Sequence, residues 1–270
     1  MTPETGAGSP AELPLQGCRI VVTREAARAG GLVEALASRG AEVSAIPIVR
    51  TERLDPAPLW AALRRLEDFD WLLFTSRTGV RLVLEELATL GLGPAALARL
   101  RLGAVGPATA GALGEAGLSI SLVPDQHTAE GLLEAMVEHE ELRGRHVLYV
   151  AAEAARDVLQ DGLARRGAQV TVVHAYRTLD DQHGVNELRQ VVAMGQLDVV
   201  IVAAPSAVQA LARAVAGTDV RVRVATIGPV TTAAAREAGL EVIAEAEEAT
   251  PGGLVRALCA WASRREPGSR

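Results

Sequence analysis

The stretch AVGPATAGALGEAGL, residues 104–118, returns as TIGPVTTAAAREAGL at residues 226–240. From the Gly-Pro pair to the closing Gly-Leu, eight of thirteen positions are identical at a constant offset of 122. Each copy leaves a short apolar run, turns at Gly-Pro and continues with helical character. Proline suits the first helical turn, where the N–H it lacks would have no partner. A strand–turn–helix unit is therefore written twice.

The echo extends in both directions. GCRIVVTREAARAGGLVEALASRGAEV (17–43) aligns with GRHVLYVAAEAARDVLQDGLARRGAQV (144–170) at an offset of 127. FDWLLFTSRTGVRLVLEEL from Phe69 aligns with LDVVIVAAPSAVQALARAV from Leu197 at 128, and HTAEGLLEAM from His127 with ATPGGLVRAL from Ala249 at 122. Two copies are too few for a solenoid, so the pattern is a duplicated domain. Repetition alone places the division near Arg143.

In the first copy the apolar runs 20–22, 43–48, 71–74, 102–105 and 120–123 predict strands. Between them, 27–38, 58–66, 80–87, 107–116 and 129–137 carry helical spacing. Near-continuous apolar strands alternating with helices imply parallel sheets covered on both faces. The expected fold is α/β, with two flavodoxin-like three-layer domains. In such sheets ligands bind beyond the carboxyl ends of the strands, where loops enter helix N-termini.

Composition narrows the chemistry. All 27 basic residues are arginine, which excludes lysine Schiff-base chemistry and the P-loop lysine. A net charge of −6 without a basic block argues against general nucleic-acid binding. No run of about 18 apolar residues predicts a membrane span. Cys18 and Cys259 read as small buried hydrophobes, and the five histidines lack metal-ligand spacing, so no metal is expected. The opening 1–14 lacks a secretory pattern and, with 263–270, reads as a mobile tail of a cytoplasmic protein.

The helix-start loops are rich in hydroxyls and backbone N–H groups. Gly106 and Thr109 form one Gly-Pro corner; Gly228, Thr231 and Thr232 form the other. FTSRTG supplies Thr75 and Ser76, its counterpart AAPSA keeps Ser206, and Arg24 follows the first strand. This chemistry suits anionic groups held by helix N-termini. The plainer reading is a set of helix starts, and it is preferred for Thr128 and Thr250 as N-caps. Tyr176, in VVHAYRTLDD, reads either as a strand aromatic or as a phenol donating a proton in a cleft. A non-catalytic two-domain protein for a small anionic ligand is the alternative to an enzyme.

At these residues the chain resembles the uroporphyrinogen-III synthase family, from about residue 17 to 261. VVTRE, RGAEVSAIPIV, FTSRTGV, AVGPATA, RGAQVTVVHAYRT, APSAV, IGPVTTAAAREAGL and TPGGLVRAL occur in the family's order. The resemblance implies one domain from 1–49 with 179–270, a second from 51–175, and linker strands near 46–52 and 174–179. It implies a cyclising lyase of tetrapyrrole, porphyrin and heme biosynthesis. Such an enzyme converts hydroxymethylbilane to uroporphyrinogen III with loss of water and inversion of ring D, through azafulvene and spiro intermediates. No cofactor is implied. The expected partner is a polycarboxylate linear tetrapyrrole, with no nucleic acid, no membrane and the chain a monomer. By position, Tyr176 matches the family's implicated tyrosine and is the expected acid. Thr109, Thr231, Thr232, Ser206, Thr75 and Ser76 match its loop hydroxyls, and Arg223 stands where the family can carry a cation. Ala203 and Ala204 stand where the family often has Thr-Ser or Phe-Ser.

Overall fold

The computed structural model describes residues 13–24, 26–218 and 220–264. Most of both stretches read as tails lies outside them. The chain divides into two compact units, residues 1–50 with 179–270 and residues 51–178.

The first unit contains β1 (Arg19–Val22), α1 (Ala26–Ala37) and β2 (Glu42–Ala45). β3 (Val49–Arg53) crosses into the second unit, which continues with α2 (Ala57–Leu63), β4 (Trp71–Phe74) and α3 (Arg77–Thr89). There follow β5 (Arg101–Ala104), α4 (Pro107–Glu115), α5 (Ala129–His139), β6 (His146–Ala152) and α6 (Val158–Ala164). The long β7 (Gln169–Asp180) crosses back. The first unit is completed by α7 (Gln182–Ala193), β8 (Val199–Val202), α8 (Pro205–Val215), β9 (Arg223–Thr226), α9 (Pro229–Glu237), β10 (Glu241–Glu245) and α10 (Pro251–Ala262).

One sheet runs β10-β9-β8-β1-β2 and the other β3-β7-β6-β4-β5. The pairs β1–β2, β1–β8, β8–β9, β9–β10, β4–β5, β4–β6 and β6–β7 are parallel, in registers such as Ile20↔Val199 and Leu73↔Tyr149. Counted along the first unit, the order is 2-1-3-4-5, that of flavodoxin-like sheets. Each sheet mixes the two sequence copies: β1 and β2 of the first copy lie beside β8, β9 and β10 of the second.

Alternation of side chains across the pleat feeds two cores per sheet. In the second unit Leu72, Phe74, Leu148 and Val150 pack with Leu63, Val83 and Leu113 on one face. Trp71, Leu73, Val147 and Tyr149 pack with Leu132, Met136 and Leu159 on the other. In the first unit Ile20, Val22 and Ile201 face Leu36 and Leu258, whereas Val21, Val200 and Val224 face Leu188 and Leu211. Burying each such side chain contributes about 1.5–3 kcal/mol, so both faces must be covered.

Two strands are shorter than their sequence predicts. The strand expected over 43–48 ends at Ala45, because Pro47 has no N–H to give the ladder. The strand expected over 120–123 is a single bridge between Gly103 and Leu122. Ser119, Ser121 and Val123 are exposed, and Pro124 stops the ladder.

Helix α7 lies so close to the backbone at Pro47 that a β-carbon at Gly184 would sit 1.8 Å from the Pro47 carbonyl oxygen. Gly184→Ala should therefore lower stability by about 1–3 kcal/mol or more. Gly111→Ala, in open space on α4, should be neutral or stabilising by up to about 1 kcal/mol. Urea midpoints at unchanged slope test both. Equal midpoints for the two variants would contradict the close approach.

At the amino edge of the second sheet, Glu140 accepts from the Trp71 indole and pairs with Arg101 at 2.7 Å and Arg145 at 2.8 Å. Arg101 also lies 5.0 Å over the Trp71 ring. Burial pushes the Glu140 carboxyl up, but the Trp71 and Arg101 hydrogen bonds and the two guanidinium charges outweigh it and hold it below 4.5. Its stabilisation is therefore complete above about pH 4.5 and fades as pH falls through the lower folded value. Glu140→Gln should cost about 1–3 kcal/mol at neutral pH, a gap that closes on acidification. A gap independent of pH would show that the charge contributes nothing.

Candidate active site

In each sheet the strand order reverses next to a strand that feeds a helix N-terminus: β1 beside β8 in the first unit, β6 beside β4 in the second. The loops leaving those carboxyl ends are where this fold holds ligands. In the second unit β4 ends at Phe74 and is followed by Thr75 and Ser76. Successive residues leave a strand toward opposite faces, so these two hydroxyls address different cores.

Ser76 Oγ lies 2.6 Å from the Tyr176 phenol oxygen. It also caps α3, accepting from the Gly79 N–H at 3.0 Å. On the other face, Thr75 Oγ1 lies 3.2 Å from the phenol oxygen of Tyr149. Both phenols are buried, Tyr149 at 3% exposure and Tyr176 at 7%. Burial raises both phenols above the usual tyrosine value, opposed at Tyr149 by the Thr75 hydrogen bond and at Tyr176 by that of Ser76. A charge on Tyr149 would raise Tyr176 further.

The position of Tyr176 depends on a register shift. β6 and β7 pair in step through Ala151↔His174, then Ala152 pairs with Tyr176. The extra residue is Ala175, so β7 bulges there. Before it, Val170 and Val172 belong to one core while Val173 and Ala175 belong to the other. Strict alternation would send Tyr176 to the face of Val172. The bulge puts it on the face of Val173, where Ser76 waits.

The Gly-Pro corners are alike in backbone and different in side chains. Gly106 starts α4 and Gly228 starts α9, both in extended conformation that any residue adopts. A β-carbon at Gly106 would press on His127 at 3.1 Å, whereas at Gly228 it would meet nothing within 4 Å. Thr109 and Thr231 occupy equivalent positions, each 4% exposed. Among the described residues neither hydroxyl has a hydrogen-bond partner within the chain. Thr232 is turned inward instead, its hydroxyl 2.5 Å from that of Thr226 in a fully buried pair. The first copy has Ala104 and Ala110 at those two places, an apolar pair in the same role.

The remaining expected residues are distributed as follows. Ser206 is half-buried in the first turn of α8, whose N-cap, Ala204, has no polar side chain to offer. Arg24 follows Thr23, which is fixed by donating its hydroxyl to the Ile201 carbonyl at 2.8 Å. Arg223 opens β9 and so stands at the amino edge, the opposite edge from Thr226 and Gly228. The structure does not bring it to the loop cluster, because a four-residue strand separates them. Thr128 and Thr250 are N-caps, accepting from Gly131 and Gly253. Two residues escaped sequence reading, Tyr149 and Thr226. Each left a signal: a polar atom on an otherwise apolar buried strand must find a partner.

The family described as uroporphyrinogen-III synthase HemD matches residues 31–256. A protein of Methanothermobacter thermautotrophicus, provisionally named a uroporphyrinogen-III synthase, is 31% identical over 83% of this chain and 91% of its own length. The uroporphyrinogen-III synthase of Synechococcus elongatus is 28% identical over 93% and 98%. The solved structure of a uroporphyrinogen III synthase variant from Thermus thermophilus covers 92% of this chain and all of its own at TM-score 0.69 and 24% identity, which shows the shared fold.

The inward turn of Thr232 separates its role from that of Thr231. Thr232→Ala should cost about 1–3 kcal/mol by leaving the buried Thr226 hydroxyl only its long 3.5 Å bond to the Ala244 carbonyl, and adding Thr226→Ala should recover part of that loss. Turnover should survive in the double variant and fall in Thr231→Ala. Denaturation and turnover measured together decide it, and additive stability losses would exclude the paired hydroxyls.

Proposed function

Because the chain belongs to the uroporphyrinogen-III synthase family, whose members are cyclising lyases of porphyrin biosynthesis, we propose that these loop hydroxyls and helix N-termini bind hydroxymethylbilane and that Tyr176 protonates its departing hydroxyl. The observation that carries this reading is the chain from the Gly79 N–H through Ser76 Oγ to the Tyr176 phenol.

The chemistry follows from the groups. Burial keeps the Tyr176 phenol protonated at neutral pH, so it is available as a donor. Loss of water from the substrate needs a proton at the leaving oxygen, and a positioned acid typically contributes 10²–10⁴-fold. As the phenol gives up its proton, the Ser76 hydroxyl can rotate to donate to the oxygen left behind. Ser76 is itself held by the Gly79 N–H at the positive end of α3, so the developing charge meets donors already in place. This is donor stabilisation where a buried phenolate would otherwise be costly.

A substrate with eight carboxylates needs several anion-holding points. Thr109 with the Gly106 backbone, and Thr231 with the open backbone at Gly228, supply one in each unit. Thr75, Ser206 and Arg24 extend the set along the same carboxyl edges. On this reading the enzyme is a cytoplasmic monomer acting on a small molecule without a cofactor, and positioning carries much of the catalysis.

Purified protein should convert hydroxymethylbilane to the type III isomer without added cofactor. Tyr176→Phe should lower kcat by roughly a hundredfold while shifting the melting temperature little. Ser76→Ala should lower kcat less, with kcat recovered by Ser76→Thr. Chromatographic separation of the isomers reads all three. Full turnover by Tyr176→Phe would remove the proposed acid.

A further inference from the structure

The second phenol at this edge has no place in the reading above. Tyr149 stands in the middle of β6, on the opposite face of the sheet from Tyr176, within the core formed with Trp71, Leu73 and Leu163. Packing alone would be met by phenylalanine. The hydroxyl reaches past that core to Thr75, the residue directly before Ser76.

We propose that Tyr149 is a positioning residue for substrate binding: it donates its phenol hydrogen to Thr75 Oγ1 and so leaves the Thr75 hydroxyl to donate to a carboxylate of the substrate. The inference rests on the proposed binding edge and assigns it one more functional side chain. The direction of the bond follows from acidity. A phenol is a stronger donor than an alkanol, and an alkanol oxygen is the better acceptor. Burial keeps the phenol protonated through the working pH range, so it remains a donor throughout. Once its oxygen accepts from Tyr149, the half-buried Thr75 has its own hydrogen left for a group beyond the strand end. The adjacent residue also pairs with a buried phenol on the other face, Ser76 with Tyr176, but there the phenol is the proposed acid and the serine its partner.

The first unit has no such device. Thr75 and Ser76 correspond to Ala203 and Ala204, and Tyr149 corresponds to Val22 in the repeat. The phenol and the hydroxyl it would orient are absent together. That is the pattern expected if Tyr149 serves the loop rather than the core.

The test is steady-state kinetics of Tyr149→Phe, Thr75→Ala and the double variant with hydroxymethylbilane, each checked by thermal melting. Tyr149→Phe keeps the ring and its packing. It should raise KM about five- to tenfold, an effect in the range of one ordinary net hydrogen bond, while kcat stays within about twofold. Thr75→Ala should raise KM at least as much, and the double variant should be no worse than Thr75→Ala. If Thr75→Ala raises KM but Tyr149→Phe does not, or if their effects multiply, the positioning role is overturned while the binding edge stands. If Thr75→Ala leaves KM unchanged, both the role and the place of Thr75 in the binding edge fall. A lower melting temperature for Tyr149→Phe with unchanged kinetics would make the phenol purely structural.

Discussion

The parallel pairing of β1 with β8 is the contact on which the first unit depends. It joins Ile20, Val21 and Val22 to Val199, Val200 and Ile201, residues almost 180 positions away in sequence. The backbone N–H of Arg19 donates to Asp198 at one end, and Thr23 donates to the Ile201 carbonyl at the other. Between them the strand is buried on both faces, with Ile20 and Val22 in one core and Val21 in the other. Closing a loop that long is costly in chain entropy, but the cost grows only with the logarithm of its length. Two cores secured by one strand offset it. The same pairing sets β1 beside β8 at the reversal of strand order, and so positions Thr23 and Arg24 next to the start of α8.

The fold class was legible because its signal is redundant. Runs such as WLLF and VVIV are apolar at every position, as strands covered on both faces require, and all eight residues are buried. The Gly-Pro helix starts were equally plain. Strand ends were less so: Pro47 and Pro124 cut short two apolar runs that hydrophobicity alone would extend. The exchange of strands between copies was invisible to the repeat itself, since similarity shows which segments correspond and not which ones pair.

The site was legible as a set of loops but not as a set of bonds. Tyr176 stood out as a rare aromatic, yet its face depends on the bulge at Ala175, and nothing in HAYRT marks an unpaired residue. Thr231 and Thr232 are indistinguishable neighbours in sequence. The structure turns one inward to Thr226 and leaves the other at the loop, a difference of helical phase. Arg223 was expected from its place in the family resemblance, and it opens β9 at the amino end, the edge opposite the loops. The two units also divide their chemistry. The second has hydroxyls at both Thr75 and Ser76, whereas the first, with Ala203 and Ala204, offers only backbone and the half-buried Ser206 there.

The mixing of copies also bears on how the chain is made. During translation every strand of the β3-β7-β6-β4-β5 sheet has been synthesised once Asp180 emerges, so that sheet can close on the nascent chain. The β1–α1–β2 segment is made first but must wait for β8. From Ala45 to Val199 is about 150 residues, or roughly 8–30 s at ordinary elongation rates. Throughout that interval Ile20, Val21 and Val22 lack the β8 partner that covers one edge of their strand in the finished sheet. The order of synthesis thus leaves β1 waiting longest for a neighbour that the fold requires.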